Sequence, residues 1–226
     1  MCGRFTLFEA DSILSREFGA DISASPTPRY NIAPSQQVLA VRVSPGTEKR
    51  EFAWLRWGLI PRWAKDPSIG NRMINARAET VAGKPAFRDA FKRRRCLIPA
   101  SGFYEWMKGE RRKQPHYIRL KNRRPFGIGG LWEQWQGPGD PPIESCTLLT
   151  TEANETISPL HDRMPVILPP ESYDLWLNSE VMDRELLLPI LRPFPADEME
   201  AFPVGFRVND PKVDNPRCID PIDASH

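Results

Sequence analysis

Hydrophobic and polar residues alternate through the middle of the chain, as β-strands require when successive side chains point to opposite faces. This pattern begins at residues 38–43 and returns at residues 51–57, with Pro45 and Gly46 as a turn between the two segments. Further short strands are predicted over residues 95–98, 102–106, 116–120, 126–132, 145–150 and 163–168. Segments rich in Gly or Pro at residues 108–114 and 137–142 supply turns between neighbouring strands. The middle of the chain is therefore predicted to be β-rich.

Helical periodicity is concentrated near the two ends of the chain. Ile13, Leu14 and Phe18 recur at helical spacing, so a helix is predicted over residues 9–18, with Gly19 ending it. Shorter helices are predicted over residues 85–94, 171–177 and 183–191. Residues 21–28 and 61–72 are predicted as loops, residues 202–208 as a last strand, and residues from about 210 to 226 as a C-terminal tail.

The order of these elements indicates the fold class. Strands do not alternate with helices in the way that parallel βαβ units require. We therefore predict a single α+β domain over residues 1–226, with a mainly antiparallel, curved or barrel-like β-sheet core and short flanking helices. The chain has 24 prolines among 226 residues, about twice the usual ~5%, which agrees with many short elements joined by rigid turns.

Composition narrows the classes of function. The apolar runs are only a few residues long, far below the roughly 20 residues of a membrane-spanning helix. Charged residues also occur early in the chain, where a secretory signal would be apolar. We therefore expect a cytoplasmic protein with no membrane partner. The four cysteines lie far apart, and the three histidines do not supply zinc-ligand spacing, so we expect no metal, no other cofactor and no disulfide framework.

A net charge of +2 conceals a strong asymmetry between the two halves of the chain. Residues 1–124 hold 25 Lys and Arg against 11 Asp and Glu, whereas residues 125–226 hold 6 against 18. Arginine suits phosphate contacts and stacking on flat rings, and a basic half rich in Arg and Trp suits single-stranded nucleic acid. The alternative is that the two halves neutralise each other within the fold.

Cys2 is the first candidate for covalent chemistry. Once an aminopeptidase removes Met1, Cys2 carries an α-amine and a thiol two carbons apart. These groups titrate at about pH 7.7–8.0 and about 8.5, so we expect both nucleophiles to be partly available at neutral pH. A 1,2-aminothiol captures an aldehyde as a Schiff base, and intramolecular attack by the thiol then closes a thiazolidine ring. The alternative is a frayed terminus without a role.

Three further segments combine strand-like patterns with polar side chains. Asn75 and Arg77 are two residues apart and face the same side if extended, where they could hold a sugar or phosphate oxygen. Glu105 lies among aromatic residues, a setting that raises a carboxyl pKa and suits proton transfer. His161 is flanked by Asp162 and Arg163 before a strand, and histidine is the natural acid and base near neutral pH. The alternatives are a solvated Arg, a solvent-facing Glu and a structural His.

Together, these segments resemble the SOS-response-associated peptidase (SRAP) family of abasic-site processing proteins. The resemblance covers residues 1 to about 209 in the order of the family. It rests on MCGRF at residues 1–5, RYNIAP at 29–34, WGLIPRW at 57–63, INARAET at 74–80, GFYEW at 102–106, HDRMPVIL at 161–168, and the pair Val208 and Asn209. The fold that the resemblance implies is the single SRAP domain.

The resemblance also implies a reaction and its catalytic residues. Members of the family crosslink to abasic sites in single-stranded DNA through the residue that matches Cys2, and the product is a thiazolidine. By similarity, Glu105 transfers protons during Schiff-base formation, His161 assists opening of the sugar ring, and Asn75 hydrogen-bonds near the Cys2 terminus or the opened sugar. The Schiff base also permits β-elimination, so lyase activity is a further implication.

The resemblance implies a DNA-binding set as well. Arg4 and Arg77 are expected to bind the phosphates that flank the lesion, and Pro34 and Trp63 to stack against bases. Arg163 and Asn209 complete this set. Some members have two consecutive tryptophans where this chain has Trp63 and Ala64, which puts strand bending and junction preference in question.

Two other functions remain open at this point. Cys2, Glu105 and His161 could form the thiol-based acyl-transfer site of a peptidase or self-processing peptidase. A non-covalent sensor of single-stranded DNA would instead bind intact and abasic strands equally well, with equal salt dependence. Protein partners cannot be derived from the sequence.

Overall fold

Short strands and shorter helices make up the part of the chain that the computed structural model describes, which is residues 2–23, 25–44, 46–47, 49–107, 109, 112–139 and 141–222. The strands are β1 (Phe5–Leu7), β2 (Arg29–Ile32), β3 (Gln37–Val43), β4 (Arg50–Trp57), β5 (Asn75–Arg77), β6 (Arg95–Ala100), β7 (Gly102–Met107), β8 (Gln114–Leu120), β9 (Phe126–Trp135), β10 (Ile143–Glu152), β11 (Arg163–Pro165), β12 (Ile167–Leu168) and β13 (Met199–Pro203). The α-helices are α1 (Asp11–Phe18), α2 (Ala78–Val81), α3 (Arg88–Arg93), α4 (Tyr173–Leu177) and α5 (Arg184–Leu187).

Five strands close into a barrel at the centre of the molecule. They pair in the order β10, β4, β3, β6, β9, and β9 pairs with β10 to complete the ring. Only the pairing of β4 with β10 is parallel within this ring. Small barrels fill their interior with side chains. The consecutive residues Leu97 and Ile98 of β6 are both fully buried, so this strand is covered inside and outside the ring. The fold therefore confirms the prediction of an α+β domain with a mainly antiparallel, barrel-like core and short flanking helices.

A second, antiparallel sheet lies beside the barrel in the order β13, β8, β7, β1, β2. Its strands β1 and β7 pair through Phe5 with Phe103 and Thr6 with Gly102. A Cβ atom on Gly102 would lie 2.3 Å from the Tyr117 hydroxyl and 2.7 Å from a backbone carbonyl, so only glycine fits at the start of β7. This close packing fixes the N-terminal strand against the strand that carries Glu105.

The short strand β5 joins the barrel from outside. It runs parallel to β10, with Asn75 opposite Leu148 and Arg77 opposite Thr150. The antiparallel strand β11 also pairs with β10, and places Arg163 opposite Glu152. Residues from three distant segments therefore meet at one end of β10.

The predicted helix at residues 9–18 corresponds to α1, which begins two residues later. Leu14 and Phe18 are buried on one face, and Gly19 ends the helix in the left-handed conformation with a φ of 63°. The predicted helix at residues 183–191 is shorter than expected, because α5 passes into a 3₁₀ turn that contains Pro189, which lacks a backbone N–H. Residues 67–72, predicted within a loop, form a 3₁₀ helix with Asp66 as its cap.

The prediction of a last strand over residues 202–208 was wrong. The strand is β13, which ends at Pro203, and residues 206–209 form a 3₁₀ helix. Glu200 makes the start of β13 look like a polar loop, but its carboxylate accepts a hydrogen bond from Arg119 on β8 at 2.6 Å. The predicted tail is packed as far as it is described, since Cys218 is buried and Val204 bridges to Pro221.

Several sequence predictions concern residues outside the described ranges. They are the removal of Met1, part of the turns at residues 45–46, 108–114 and 137–142, and the end of the tail at residues 223–226. Within the described residues, no helix has the length and apolar character needed to cross a membrane.

Candidate active site and nucleic-acid interface

Cys2 is held inside the protein by contacts from two different strands. The backbone N–H of Tyr104 on β7 donates to the carbonyl of Arg4 at 3.0 Å, which ties the start of the chain to β7. The Asn75 amide on β5 donates through Nδ2 to the Cys2 carbonyl at 2.8 Å. Cys2 has 0% exposure, so the expectation of a frayed terminus does not hold for this residue.

Burial changes the acidity of the Cys2 thiol. It raises the thiol pKa to about 12, and the nearby Glu105 carboxylate adds to this effect. The expectation of a thiol that is partly ionised at neutral pH was therefore wrong, because sequence alone does not show that residue 2 is desolvated. Chemistry at Cys2 requires a group that accepts the thiol proton.

Glu105 is a buried carboxylate close enough to Cys2 to act on its thiol electrostatically. Residues alternate along β7, so Tyr104 points into a small aromatic cluster while Glu105 points toward Cys2 and His161. Glu105 is 3% exposed, and burial raises its pKa. A carboxyl group of raised pKa gives up and recovers a proton closer to neutral pH than an exposed one. The alternative of a solvent-facing Glu is thereby removed.

Two hydrogen-bonding partners lie within reach of one ring nitrogen of His161. Its Nδ1 atom lies 2.9 Å from the N–H of Arg163 and 2.7 Å from Oδ1 of Asp162. One ring nitrogen serves only one of these partners at a time. Without a proton, Nδ1 accepts from the Arg163 N–H, and with a proton it donates to Asp162. The position of one proton therefore selects the partner of Nδ1.

Glu105 and His161 meet at a cleft of about 540 Å³. The cleft is lined by Arg4, Glu105, Trp106, Arg112, Lys113, His161 and Asn209. Of these, Trp106, Arg112 and Lys113 were not among the residues selected from the sequence. The run of basic residues between β7 and β8 could have identified Arg112 and Lys113, because clusters of positive charge are typical of phosphate-binding surfaces.

Arg4 is fixed in this cleft by the segment that follows β13. Its Nη1 atom donates to Asn31 Oδ1 at 2.6 Å and to the Val208 carbonyl at 2.7 Å. Asn31 in turn donates through Nδ2 to the carbonyls of Val213 at 2.7 Å and Asp210 at 2.9 Å. The buried Asn31 side chain thus joins β2, Arg4 and the C-terminal segment.

Replacing Asn31 by alanine is expected to destabilise the protein and to release Arg4. Three hydrogen bonds of the buried amide are lost, one accepted by Oδ1 and two donated by Nδ2. Each contributes ~0.5–1.5 kcal/mol, so the free energy of unfolding should fall by roughly 1.5–4.5 kcal/mol. Chemical denaturation of both proteins measures this difference. An unchanged midpoint and slope would show that the C-terminal segment is held without Asn31.

Arg77 and Arg163 lie at the shared end of β5, β10 and β11. Arg163 donates through Nη1 and Nη2 to both carboxylate oxygens of Glu79, at 2.7 and 2.9 Å, and to the Thr150 carbonyl at 2.6 Å. These bonds hold the pKa of Glu79 below its usual value. Arg77 is exposed, so its guanidinium is the more accessible of the two cations.

Pro34 occupies a tight turn between β2 and β3. The following residue, Ser35, has a φ of 71°, which is uncommon for a residue other than glycine. Its N–H donates to the Trp57 carbonyl at 2.8 Å, and the Gln36 amide closes the turn onto Ala33. The turn is therefore rigid and half-exposes Pro34.

Trp63 stands on a separate loop after β4, and 60% of it is exposed. The loop is anchored by the Trp135 indole, which donates to the Ala64 carbonyl at 2.7 Å. Neither Pro34 nor Trp63 lines the cleft that contains Glu105 and His161. Among the described residues no cluster of His, Cys, Asp and Glu is arranged to hold a metal ion.

Comparison with known proteins identifies a matching family model and several similar proteins. Residues 1–211 match the family model described as SOS response associated peptidase (SRAP). The chain is 45% identical over 224 residues to the abasic site processing protein YoqW of Bacillus subtilis, covering 97% of this chain and 99% of that protein. It is 32% identical to the abasic site processing protein HMCES of Gallus gallus, covering 87% of this chain and 67% of that protein.

Solved structures show the same fold. A crystal structure of a protein from Bacteroides thetaiotaomicron superposes with a TM-score of 0.88 at 23% identity, over 98% of this chain and 100% of that one. A protein from Bordetella bronchiseptica gives a TM-score of 0.77 at 28% identity, over 90% of this chain and all of that one.

Proposed function

The chain belongs to the SOS response associated peptidase (SRAP) family, and from this we propose that it captures abasic sites in single-stranded DNA as a covalent crosslink through Cys2. An abasic deoxyribose exists partly as an open-chain aldehyde at C1′. This aldehyde is an electrophile that intact DNA lacks, and an N-terminal cysteine is a nucleophile matched to it. The names of the relatives support abasic-site processing, and the arrangement around Cys2 supports the covalent route.

The observation that carries the proposal is the burial of Cys2 beside Asn75 and Glu105, two groups that assist such a reaction. Asn75 fixes the Cys2 carbonyl, and its Oδ1 atom is buried with no hydrogen-bond partner among the described residues. A buried acceptor of this kind is costly when unsatisfied. We assign it to the α-amine of Cys2 that is exposed once Met1 is removed.

The reaction begins with attack of the Cys2 amine on C1′. The C–N bond forms, and the carbonyl oxygen becomes the hydroxyl of a carbinolamine. Protonation of that hydroxyl by the carboxyl form of Glu105 expels water and leaves an iminium ion. The Cys2 sulfur then bonds to C1′ while its proton passes to the Glu105 carboxylate, and the iminium nitrogen becomes the ring amine. The balance is loss of one water, and no oxidant or cofactor is required.

His161 and the basic residues bind and open the sugar in this proposal. His161 faces Glu105 across the cleft and moves the proton of the ring hydroxyl as the sugar opens. Arg4, Arg77, Arg163 and Asn209 bind the phosphates around the lesion. Pro34 and Trp63 stack against the bases on either side. The same Schiff base permits β-elimination, so slow strand cleavage is the side reaction expected of this site.

The raised pKa of Cys2 also distinguishes this reaction from proteolysis. Thiol peptidases attack an amide with a thiolate whose pKa is lowered by a cationic partner. Burial and Glu105 act on Cys2 in the opposite direction. An iminium ion is a much stronger electrophile than an amide, so a neutral thiol with an adjacent base is sufficient for ring closure.

Intact mass spectrometry tests the proposal directly. The purified protein is measured before and after incubation with a single-stranded oligonucleotide that contains one abasic site. We expect a protein without Met1 that gains the mass of the oligonucleotide less one water and keeps it on heating in denaturant. A folded protein without Met1 that forms no adduct would overturn the proposal.

Replacing Arg77 by alanine is expected to weaken binding to single-stranded DNA and to reduce its salt dependence. Loss of one phosphate contact lowers the slope of log K against log salt by about 0.7 for a single strand. Binding of a fluorescent oligonucleotide at several salt concentrations measures this slope, with exposed Arg123, on the turn after β8, replaced by alanine as the control. An unaltered slope would remove Arg77 from the DNA-binding set.

A further inference from the structure

Trp54 is exposed on the outer face of the barrel, away from the cleft. Of the seven tryptophans in the chain, only Trp54 and Trp63 are exposed, with 45% and 60% of their surface accessible. A large aromatic side chain in the middle of a paired strand is ordinarily covered, because burial of its apolar surface is favourable. The exposure of Trp54 is therefore a feature to explain.

Arg56 lies on the same face of β4 as Trp54. The two are separated by one residue, and the register with β3 places Gln37 opposite Arg56 and Leu39 opposite Trp54. Side chains two apart on a strand stand on one face about 7 Å apart. The Trp54 ring and the Arg56 guanidinium, with the Gln37 amide beside Arg56, therefore form a short row on this face.

This row continues into the turn that holds Pro34. Arg56 donates through Nη2 to Asn71 Oδ1 at 2.8 Å, and Ser35 Oγ donates to the same oxygen at 3.2 Å. The Ser35 N–H is also bonded to the carbonyl of Trp57, at the end of β4. Polar side chains thus connect the rigid turn to Arg56 without a break.

We propose that Trp54 and Arg56 form an outlying binding segment for single-stranded DNA, beyond the nucleotide that stacks at Pro34. This inference rests on the proposed function, and it extends the DNA contact around the outside of the barrel. Trp54 stacks on a base, and Arg56 contacts the phosphate beside it. Bases present a flat face whatever their identity, so this contact is independent of sequence.

The position of the segment fixes the length of DNA that reaches it. Three residues of β4 separate Trp57, which holds the turn, from Trp54, and this corresponds to ~10 Å of strand. A stacked single strand advances ~3.4 Å per nucleotide. Trp54 is therefore reached about three nucleotides beyond the base at Pro34, or sooner if the strand is stretched.

The test compares oligonucleotides with different flanks on wild type and on Trp54→Ala. Each strand carries a tetrahydrofuran abasic analogue, which binds but cannot crosslink, and a matched set of intact strands is measured in parallel. One series shortens the 5′ flank from on the order of ten nucleotides to one, and another shortens the 3′ flank. Trp54→Phe tests the need for a ring, and Leu186→Ala, which removes another exposed apolar side chain, is the matched control.

We expect Trp54→Ala to bind strands with both flanks long about fivefold more weakly, since stacking contributes ~1 kcal/mol or more per base. Shortening one flank should abolish this difference, Trp54→Phe should restore most of the affinity, and Leu186→Ala should bind as wild type. Equal affinity of wild type and Trp54→Ala at every length would overturn the inference.

The same measurements separate this inference from the proposed function. If wild type crosslinks an abasic strand and Trp54→Ala binds as tightly as wild type, the proposed function is retained and the outlying segment is rejected. If Trp54→Ala binds intact strands more weakly than wild type and no crosslink forms, the segment is retained and the proposed chemistry is rejected. Sedimentation of both proteins without DNA identifies the competing occupant: self-association that disappears in Trp54→Ala would assign this face to a second copy and overturn the inference.

Discussion

Replacing Cys2 by serine is expected to eliminate the heat-stable adduct completely while leaving a Schiff base that borohydride traps. The amine that forms the imine is unchanged by the substitution. The serine hydroxyl is a far weaker nucleophile than sulfur, so the five-membered ring does not persist and the imine hydrolyses. Denaturing gels of wild type and variant with an abasic oligonucleotide, each with and without borohydride, measure both species.

Controls separate the loss of one thiol from a general effect on the protein. Cys146 is also a fully buried free thiol, located on β10 in the barrel, and Cys146→Ala should crosslink as wild type does. An alanine inserted between Met1 and Cys2 should remove the heat-stable adduct, because the thiol and the α-amine then belong to different residues and cannot close the five-membered ring. A heat-stable adduct in Cys2→Ser would contradict the thiazolidine mechanism.

The sequence predicted the barrel strands best, because those strands are long and patterned. Strand β3 and strand β4 lie within one residue of the predicted segments, and α1 followed from the spacing of Leu14 and Phe18 and from Gly19. The strands β1, β2 and β5 were missed, since three or four residues do not establish a period of two. These short strands depend on tertiary pairing: β2 pairs with β1, β1 pairs with β7, and β5 pairs with β10.

The candidate site was predictable by residue but not by environment. The motifs identified Cys2, Asn75, Glu105 and His161, whose separation along the chain gives no information on distance. Their proximity arises where β1 pairs with β7 and β5 pairs with β10. Desolvation of Cys2 depends on that packing, which explains why the raised pKa of its thiol could not be predicted from the sequence.

Other contacts were hidden because they join residues far apart in the chain. Glu79 and Arg163 form a bidentate ion pair across 84 positions. The C-terminal segment reaches back to Arg4 through Asn31, and Asp214 accepts hydrogen bonds from Arg29 and from the Tyr30 N–H. A segment predicted as a tail from its polarity is in fact packed against β2 through Asp214, and Asn209, which directly precedes it, lines the cleft.

Glu105→Gln is expected to slow crosslinking by about 10²–10⁴-fold. The thiol of Cys2 is protonated at neutral pH because its pKa is about 12, so ring closure needs a base at that position. Glutamine has the shape of glutamate but accepts no proton. Single-turnover rates of crosslinking across a pH series measure the loss, and the inflection due to Glu105 in the wild-type profile should be absent from the variant.

The matched control is Glu133→Gln. Glu133 on β9 is also 3% exposed, and burial raises its pKa, but its partner is Arg94 and it lies outside the cleft. Its replacement removes a buried carboxylate without touching the site, and the crosslinking rate should stay within about twofold of wild type. A Glu105→Gln rate equally close to wild type would show that another group accepts the thiol proton.

Stability should change in the direction opposite to activity. Burial raises the pKa of Glu105 in the folded protein, so the folded state binds this proton more tightly than the unfolded state. As pH rises from the unfolded pKa through the folded pKa, ionisation of the buried carboxylate lowers the free energy of unfolding of wild type. Glu105→Gln has no carboxylate to ionise at this position, so it does not undergo this loss. The free energy of unfolding of the variant minus that of wild type should therefore be larger above the folded pKa of Glu105 than below pH ~4. A variant that crosslinks more slowly but gains stability relative to wild type as the pH rises is the result expected of a carboxylate buried for proton transfer. A residue that only supported the fold would instead lose stability and rate together.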